Sequence, residues 1–159
     1  MNMISIEYLT TTELDKNEKV AIMSLWNEEY PVALAHSSLS DFECYLKSLG
    51  QPQHFLARQN EQIVGWATKF DRDEKRWFVI ILSSHLHKKG IGSNLLDRLK
   101  YEETELNGWV IDHHREKKIN NHPYNSPLDF YSKNGFAPEA SQRIETSSLS
   151  AVKITWTMK

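Results

Sequence analysis

The residues best suited to chemistry lie in one run, Ser83-Ser84-His85-Leu86-His87-Lys88-Lys89-Gly90-Ile91-Gly92-Ser93-Asn94. Before it stands an apolar stretch, Trp77-Phe78-Val79-Ile80-Ile81-Leu82, and after it Ile91, Leu95 and Leu99 recur every fourth residue. The first reads as a buried strand and the second as a helix with one apolar face. A helix beginning near Gly90 aims its unpaired N–H groups and the positive end of its dipole back into the loop. Glycines at 90 and 92 keep side chains off that backbone, so the chemistry on offer is binding of a phosphate or pyrophosphate. Two familiar nucleotide loops do not fit. Position 95 is Leu where a dinucleotide fold needs a third glycine, and no Gly-Lys-Ser/Thr follows as in a P-loop.

Five of the seven histidines, at 85, 87, 113, 114 and 122, fall in loops, so a metal site has to be weighed. No helical pair of histidines four apart encloses a glutamate, and the single cysteine, Cys44, has no partner; no metal is expected. Cys44 alone forms no intrachain disulfide and fits a reducing compartment, so cytoplasm is the expected location. Lys+Arg 19 against Asp+Glu 21 gives a net charge of -2, which offers no global attraction to nucleic acid or to an anionic membrane. Met1–Glu7 has neither the basic start nor the apolar core of a signal peptide, and the run 77–82 is too short to span a bilayer.

The elements that must position the loop read as one α/β domain over residues 1–159, long enough to bury a core unaided. A first strand is expected at 3–9, then a helix carrying Val20, Ile22, Met23 and Trp26 that ends near Tyr30, before Pro31. A second helix follows from Ser40 to Leu49, with Ser38 or Ser40 as cap and Gly50 as stop. Segments 54–58, 63–68 and 75–82, joined by short polar turns, read as three consecutive antiparallel strands. The helix after Gly92 is expected to run to about Leu106 and stop at Asn107-Gly108, with a strand at 109–112. Residues 113–125 lack apolar periodicity and form a loop long enough to line a site. Ser126-Pro127-Leu128-Asp129 starts a short helix well and Asn134-Gly135 ends it. Two last strands are expected at 142–146 and 152–158.

In that order of elements, two motifs resemble the GNAT family of acyl-CoA-dependent N-acyltransferases. The family's phosphate loop has Arg or Gln, two residues, Gly, one residue, then Gly or Ala; His87-Lys88-Lys89-Gly90-Ile91-Gly92 stands in that register, with His87 as the departure. Phe130-Tyr131-Ser132-Lys133-Asn134-Gly135-Phe136 resembles the family's short helix, tyrosine and Asn-Gly-Phe exit into the next strand. The resemblance runs from about residue 3 to residue 158. It implies a mixed α+β sheet, mostly antiparallel, with a splayed parallel pair at the CoA site and about four helices. Acetyl-CoA, or another acyl-CoA, is the implied cosubstrate. Its pantetheine amides would lie along Ile80, Ile81 and Leu82, and its pyrophosphate against His87, Lys88, Lys89, Gly90, Ile91, Gly92 and Ser93. Where the family often has an asparagine seven residues before the tyrosine, this chain has Tyr124, so the implied contact moves to Asn125.

What the resemblance implies chemically is direct attack of an amine on a thioester, through a tetrahedral intermediate that expels a thiolate. An amine of pKa ~10.4 is mostly protonated at neutral pH, so a proton must be removed first. Tyr131, protonated at pH 7, resembles the family's donor to the leaving sulfur. The base stays open between His114 and Glu29: Glu28 and Glu29 close the first helix, while Asp112 and His114 share one face at the end of a strand. The acceptor is a small-molecule or peptide amine. An alternative keeps the fold and the CoA pocket in a catalytically silent sensor or partner-binding module. A homodimer through sheet edges or the tail hairpin is compatible with either.

Overall fold

The computed structural model describes residues 5–159. The first strand, β1, spans Glu7–Thr11; of the segment expected from residue 3, residues 3 and 4 lie outside the described residues. Asp15 then caps α1 (Lys16–Glu29) with a full capping box, its carboxylate accepting from the Glu18 N–H while the Glu18 carboxylate accepts from the Asp15 N–H, each at 2.8 Å. A short 3₁₀ turn at Val32–Leu34 leads to α2 (Leu39–Lys47), capped by Ser38. Strands β2 (Gly50–Gln59), β3 (Gln62–Arg72) and β4 (Lys75–Leu82) form the expected meander. Asn60 and Glu61, then Asp73 and Glu74, take positive φ at its two turns, which matches the twist of adjoining antiparallel strands.

Helix α3 (Ile91–Lys100), β5 (Glu105–Val110), α4 (Leu128–Lys133), β6 (Ala137–Glu145) and β7 (Ser150–Thr157) complete a mixed α/β fold. The strands make one sheet in the order β1-β2-β3-β4-β5-β7-β6. All neighbours are antiparallel except β4 and β5, which run parallel and register at a single pair, Trp77 with Asn107. Strand alternation divides the core between the two faces. Phe55, Ala57 and Phe78 pack with Leu95, Leu99 and Tyr131 beneath α3 and α4. Leu56, Trp66 and Ile81 pack with Ile22, Trp26 and Phe42 beneath α1 and α2. None of the described helices is long and apolar enough to cross a membrane.

Three boundaries depart from local expectation, each for a tertiary reason. Helix α3 stops at Lys100 instead of Leu106, because Lys69 of β3 ends it from outside. The buried ammonium donates to Leu99 O at 3.0 Å and Tyr101 O at 2.9 Å, and pairs with Glu103 at 2.9 Å. That satisfies carbonyls which a helix end leaves unpaired. Asn107 and Gly108 consequently lie inside β5. The Asn107 amide donates to Arg76 O at 3.1 Å and its carbonyl accepts from the Thr155 hydroxyl at 3.0 Å. A Cβ on Gly108 would stand 2.7 Å from the Phe78 ring, so packing selects this glycine. Gly50 opens β2 in place of ending α2, for a Cβ there would lie 2.6 Å from the Asp71 carbonyl oxygen. The penultimate strand begins at Ala137, directly after α4, and a register shift between Glu139 and Arg143 carries it past the expected start at Gln142.

Candidate active site

Strand β5 leaves β4 after one registered pair, so the C-terminal half of β4 has a free edge. The Ser83 N–H donates to Val64 O at 2.8 Å, and Ile81 is registered with Trp66. Antiparallel alternation therefore turns the backbone groups of Ile80 and Leu82 away from β3 and toward the gap. Two side chains reach them: the Tyr30 hydroxyl donates to Ile80 O at 3.2 Å, and His87 Nε2 meets Leu82 O at 3.0 Å. Of the three residues expected to offer backbone to a bound chain, Ile81 does not face the gap. Its backbone is taken up by β3 and its side chain is buried beneath α1 and α2.

Beyond β4, a 3₁₀ turn at Ser84–Leu86 anchors the loop through buried Leu86. His87, Lys88, Lys89 and Gly90 are all exposed. Gly90, at φ 80°, is the N-cap of α3, and no side chain caps that helix. The N–H groups of Ile91, Gly92 and Ser93 are thus left for an anion, with the Ile91 side chain itself buried. The two glycines serve different ends. A Cβ on Gly90 meets nothing within 4 Å, so the left-handed backbone selects glycine there. A Cβ on Gly92 would lie 3.0 Å from Phe130 Cζ, so the close approach of α3 to α4, and not of a ligand, selects the second.

Three phenols, from three elements, are disposed about β4. Tyr30 sits at the C-cap of α1, Tyr124 at the end of the 113–125 loop and Tyr131 within α4. The Tyr30 and Tyr124 rings are 6.3 Å apart edge to face, and Tyr131 packs between Phe78 at 5.7 Å and Phe136 at 5.6 Å. Burial raises all three hydroxyls well above the usual phenol pKa; Tyr124 raises Tyr131 further, and Tyr124, Tyr131 and Tyr45 do the same to Tyr30. All three are neutral donors at physiological pH.

The acidic and basic candidates around them are already engaged. Glu29 accepts from Lys118 Nζ at 3.0 Å through one oxygen and from the Ser84 N–H at 2.9 Å through the other. His114 Nδ1 accepts from the Ser126 N–H at 3.1 Å, which leaves the proton of the neutral ring on Nε2. Asp112 is held by Arg143 at 2.8 and 3.1 Å, a bond that keeps its carboxyl below the ordinary range. His113 Nδ1 accepts from the Arg115 N–H at 3.1 Å. Glu28 faces elsewhere, into a groove between α1 and the β2–β3 hairpin. Asn125 is exposed, directly after Tyr124. Among the described residues no three His, Cys, Asp or Glu side chains are grouped to hold a metal ion.

A family model described as an acetyltransferase (GNAT) domain matches residues 50–138, from the start of β2 into β6. The chain belongs to the GNAT family. No curated protein sequence matches it significantly. Among solved structures, an aminoglycoside 6'-N-acetyltransferase complexed with coenzyme A is 16% identical, with a TM-score of 0.66 over 94% of this chain and 96% of the other. An acyl-CoA N-acyltransferase from Pseudomonas aeruginosa is 13% identical, with a TM-score of 0.66 over 96% and 100%. Escherichia coli ElaA is 17% identical, with a TM-score of 0.61 over 97% and 99%. These likenesses are likenesses of fold, and the parallel β4–β5 pair with its gap is part of this GNAT chain's own geometry.

Two features of this GNAT site escape sequence reasoning. Tyr30 reads there only as the end of a helix and Tyr124 only as a residue in the place of an asparagine, and nothing local pairs their rings or sends Tyr30 to Ile80 O. The Glu29–Lys118 pair joins residues 89 apart, with side chains only 11% and 16% exposed. One signal for Tyr30 was present: Pro31 forces the chain out of α1 just there, fixing where the last side chain of that helix points.

Proposed function

We propose that this chain is an N-acetyltransferase, moving an acetyl group from acetyl-CoA to an amine by direct attack through a tetrahedral intermediate. The observation that carries the reading is an uncapped α3 N-terminus and a free β4 edge, joined by the single loop 83–90. Phosphates suit the N–H groups of Ile91, Gly92 and Ser93, with Lys88 and Lys89 beside them. The amides of a pantetheine arm suit Ile80 and Leu82, where they would take over the places of the Tyr30 hydroxyl and the His87 ring. His87 serves this loop as a tie to β4, and Asn125 offers a further polar contact at the mouth. Tyr131 is the acid: a neutral phenol at pH 7 donates to the departing sulfur and so avoids expelling a free thiolate. Either Glu29 or His114 would have to give up the hydrogen bond described above before acting as base.

Calorimetry with acetyl-CoA, followed by thiol release across a library of amines, tests the reading. Saturable binding below about 1 mM and turnover of at least one amine are expected. Absence of binding at that concentration overturns it. The engaged state of Glu29 and His114 favours one second reading, a CoA-binding module without turnover; binding with no thiol release from any amine would select it.

A further inference from the structure

We propose that Glu29 is a positioning residue that couples the two sides of the cleft: one carboxylate holds both the loop that would take the phosphates and the hairpin that would face the amine, so that CoA on the first orders the second. The proposal rests on the phosphate-binding reading of residues 83–93 and adds how occupancy of that site reaches the acceptor side. Glu29 closes α1 and divides its oxygens between two partners. Oε2 accepts from the Ser84 N–H at 2.9 Å, and Oε1 from Lys118 Nζ at 3.0 Å. The Ser84 N–H opens the 3₁₀ turn Ser84–Leu86, whose N-cap Ser83 gives it no side-chain bond, because the Ser83 hydroxyl meets His85 Nδ1 at 2.7 Å. Glu29, 55 residues back in the chain, supplies the acceptor that the turn's own cap does not. On the other side Lys118 stands at the turn of a small antiparallel hairpin over residues 116–124. Its N–H donates to His122 O and its carbonyl accepts from the Asn121 N–H, while the Tyr124 N–H donates to Glu116 O, each at 2.9 Å, and Lys117 bridges Pro123. Holding Lys118 therefore holds the hairpin as a unit, Tyr124 included.

Coupling requires an element whose freedom both sites share. Residues 87–90 are exposed, and phosphates seated on the N–H groups of Ile91, Gly92 and Ser93 would fix the backbone that runs back from them to Ser84. A fixed Ser84 N–H fixes the Glu29 carboxylate, and with it the Lys118 ammonium. The pair is largely shielded from water, so the hairpin cannot swing away without stranding a charge. The conformational entropy of holding Glu29 is lost once, with CoA, and the hairpin is ordered at a smaller further cost. By linkage the effect is reciprocal: an amine that orders 116–124 tightens CoA by the same factor. On this assignment Glu29 keeps both bonds and is not the base.

Amide hydrogen exchange across 116–124, with and without CoA, tests the clamp. In wild type, CoA at a concentration that calorimetry shows to be saturating is expected to slow that exchange at least about fivefold. Glu29→Gln offers one acceptor oxygen to two donors, so exchange there starts faster and CoA is expected to slow it by less than about twofold. A residue that merely stabilised the fold would speed exchange without altering the ratio of the rates with and without CoA. The swap of Glu29→Lys with Lys118→Glu separates the two halves, for it restores an ion pair to the hairpin and leaves the Ser84 N–H without its acceptor. In the swap, exchange without CoA should return toward wild type while the effect of CoA stays lost. Equal slowing by CoA in wild type and in either variant overturns the clamp, as does CoA that binds wild type and leaves 116–124 unchanged. CoA that fails to bind wild type overturns the phosphate-binding reading as well.

Discussion

The two sides of the cleft are built on opposite principles. On the phosphate side His87–Gly90 are exposed, α3 begins without a side-chain cap, and the groups on offer are backbone N–H donors. On the acceptor side nearly everything is tied across. The Val32 N–H donates to Lys117 O at 2.9 Å, Lys118 pairs with Glu29, Ser126 bonds His114 and Tyr124 packs on Tyr30. On the proposed reading, one side would recognise charge through a backbone that any sequence of the right shape can supply. The other holds a specific arrangement through pairs of side chains distant in the chain, so changes there should be felt far more strongly.

Tyr131 packs against Phe78 of β4, and on the proposed reading its replacement is the sharpest way to test the contrast. Tyr131→Phe keeps the ring between Phe78 and Phe136 and removes the donor, so kcat in thiol release should fall about 10²- to 10³-fold. CoA binding by calorimetry should hardly change. Undiminished kcat would remove Tyr131 from the chemistry and leave the acceptor side with no catalytic distinction.

Acid should loosen the acceptor side next. Its helices rest on Trp66, whose indole N–H donates to His54 Nδ1 at 3.2 Å, and burial lowers His54 from 6.5 to about 4. The folded pKa lies below the unfolded one, so between pH 6.5 and 4 the unfolded chain binds a proton that the folded chain refuses. Stability is complete above about pH 6.5 and falls on acidification, by up to about 1.4 kcal/mol per pH unit. Urea midpoints from pH 7 to 4.5 measure this, and His54→Gln, which still offers Trp66 an acceptor, should flatten the dependence. An equal slope in that variant would assign acid sensitivity to other groups.

A smaller loss, about 2 kcal/mol, is expected for Glu29→Gln, which strands a largely buried ammonium at Lys118. The variant should melt earlier and be cleaved faster within 113–125. Unaltered melting and cleavage would mean that the tie between α1 and that loop contributes no stability.

The same contrast explains what was legible in the sequence. The uncapped start of α3 at Gly90 depends on local events, namely a strand, a left-handed glycine and a helix start, and each leaves a local mark. The element order and the antiparallel meander were legible for the same reason, since Asn60-Glu61 and Asp73-Glu74 announce their turns. Asn107-Gly108 misled because by local rules it stops a helix, whereas Phe78 and Thr155 require it in a strand. Lys69 reads as an ordinary strand lysine until its ammonium is found at the end of α3. At the site, the motif residues could be picked out, while the partners that occupy Glu29 and His114 lie far along the chain or on its backbone and leave no pattern.

The phosphate side should give the mildest response of all. Lys88 and Lys89 are exposed, so their attraction for a phosphate is screened by water and salt, and each contributes less than about 1 kcal/mol. Lys88→Ala and Lys89→Ala together should weaken CoA by no more than about tenfold at low salt, and the gap from wild type should narrow as salt rises. Lys88 adds a backbone effect, because its φ of 65° favours glycine, and Lys88→Gly in the Lys89→Ala background should recover part of the lost affinity. A loss far above tenfold that persists at high salt would mean that side chains, and not the first turn of α3, hold the phosphates. The two sides of the cleft would then be built alike.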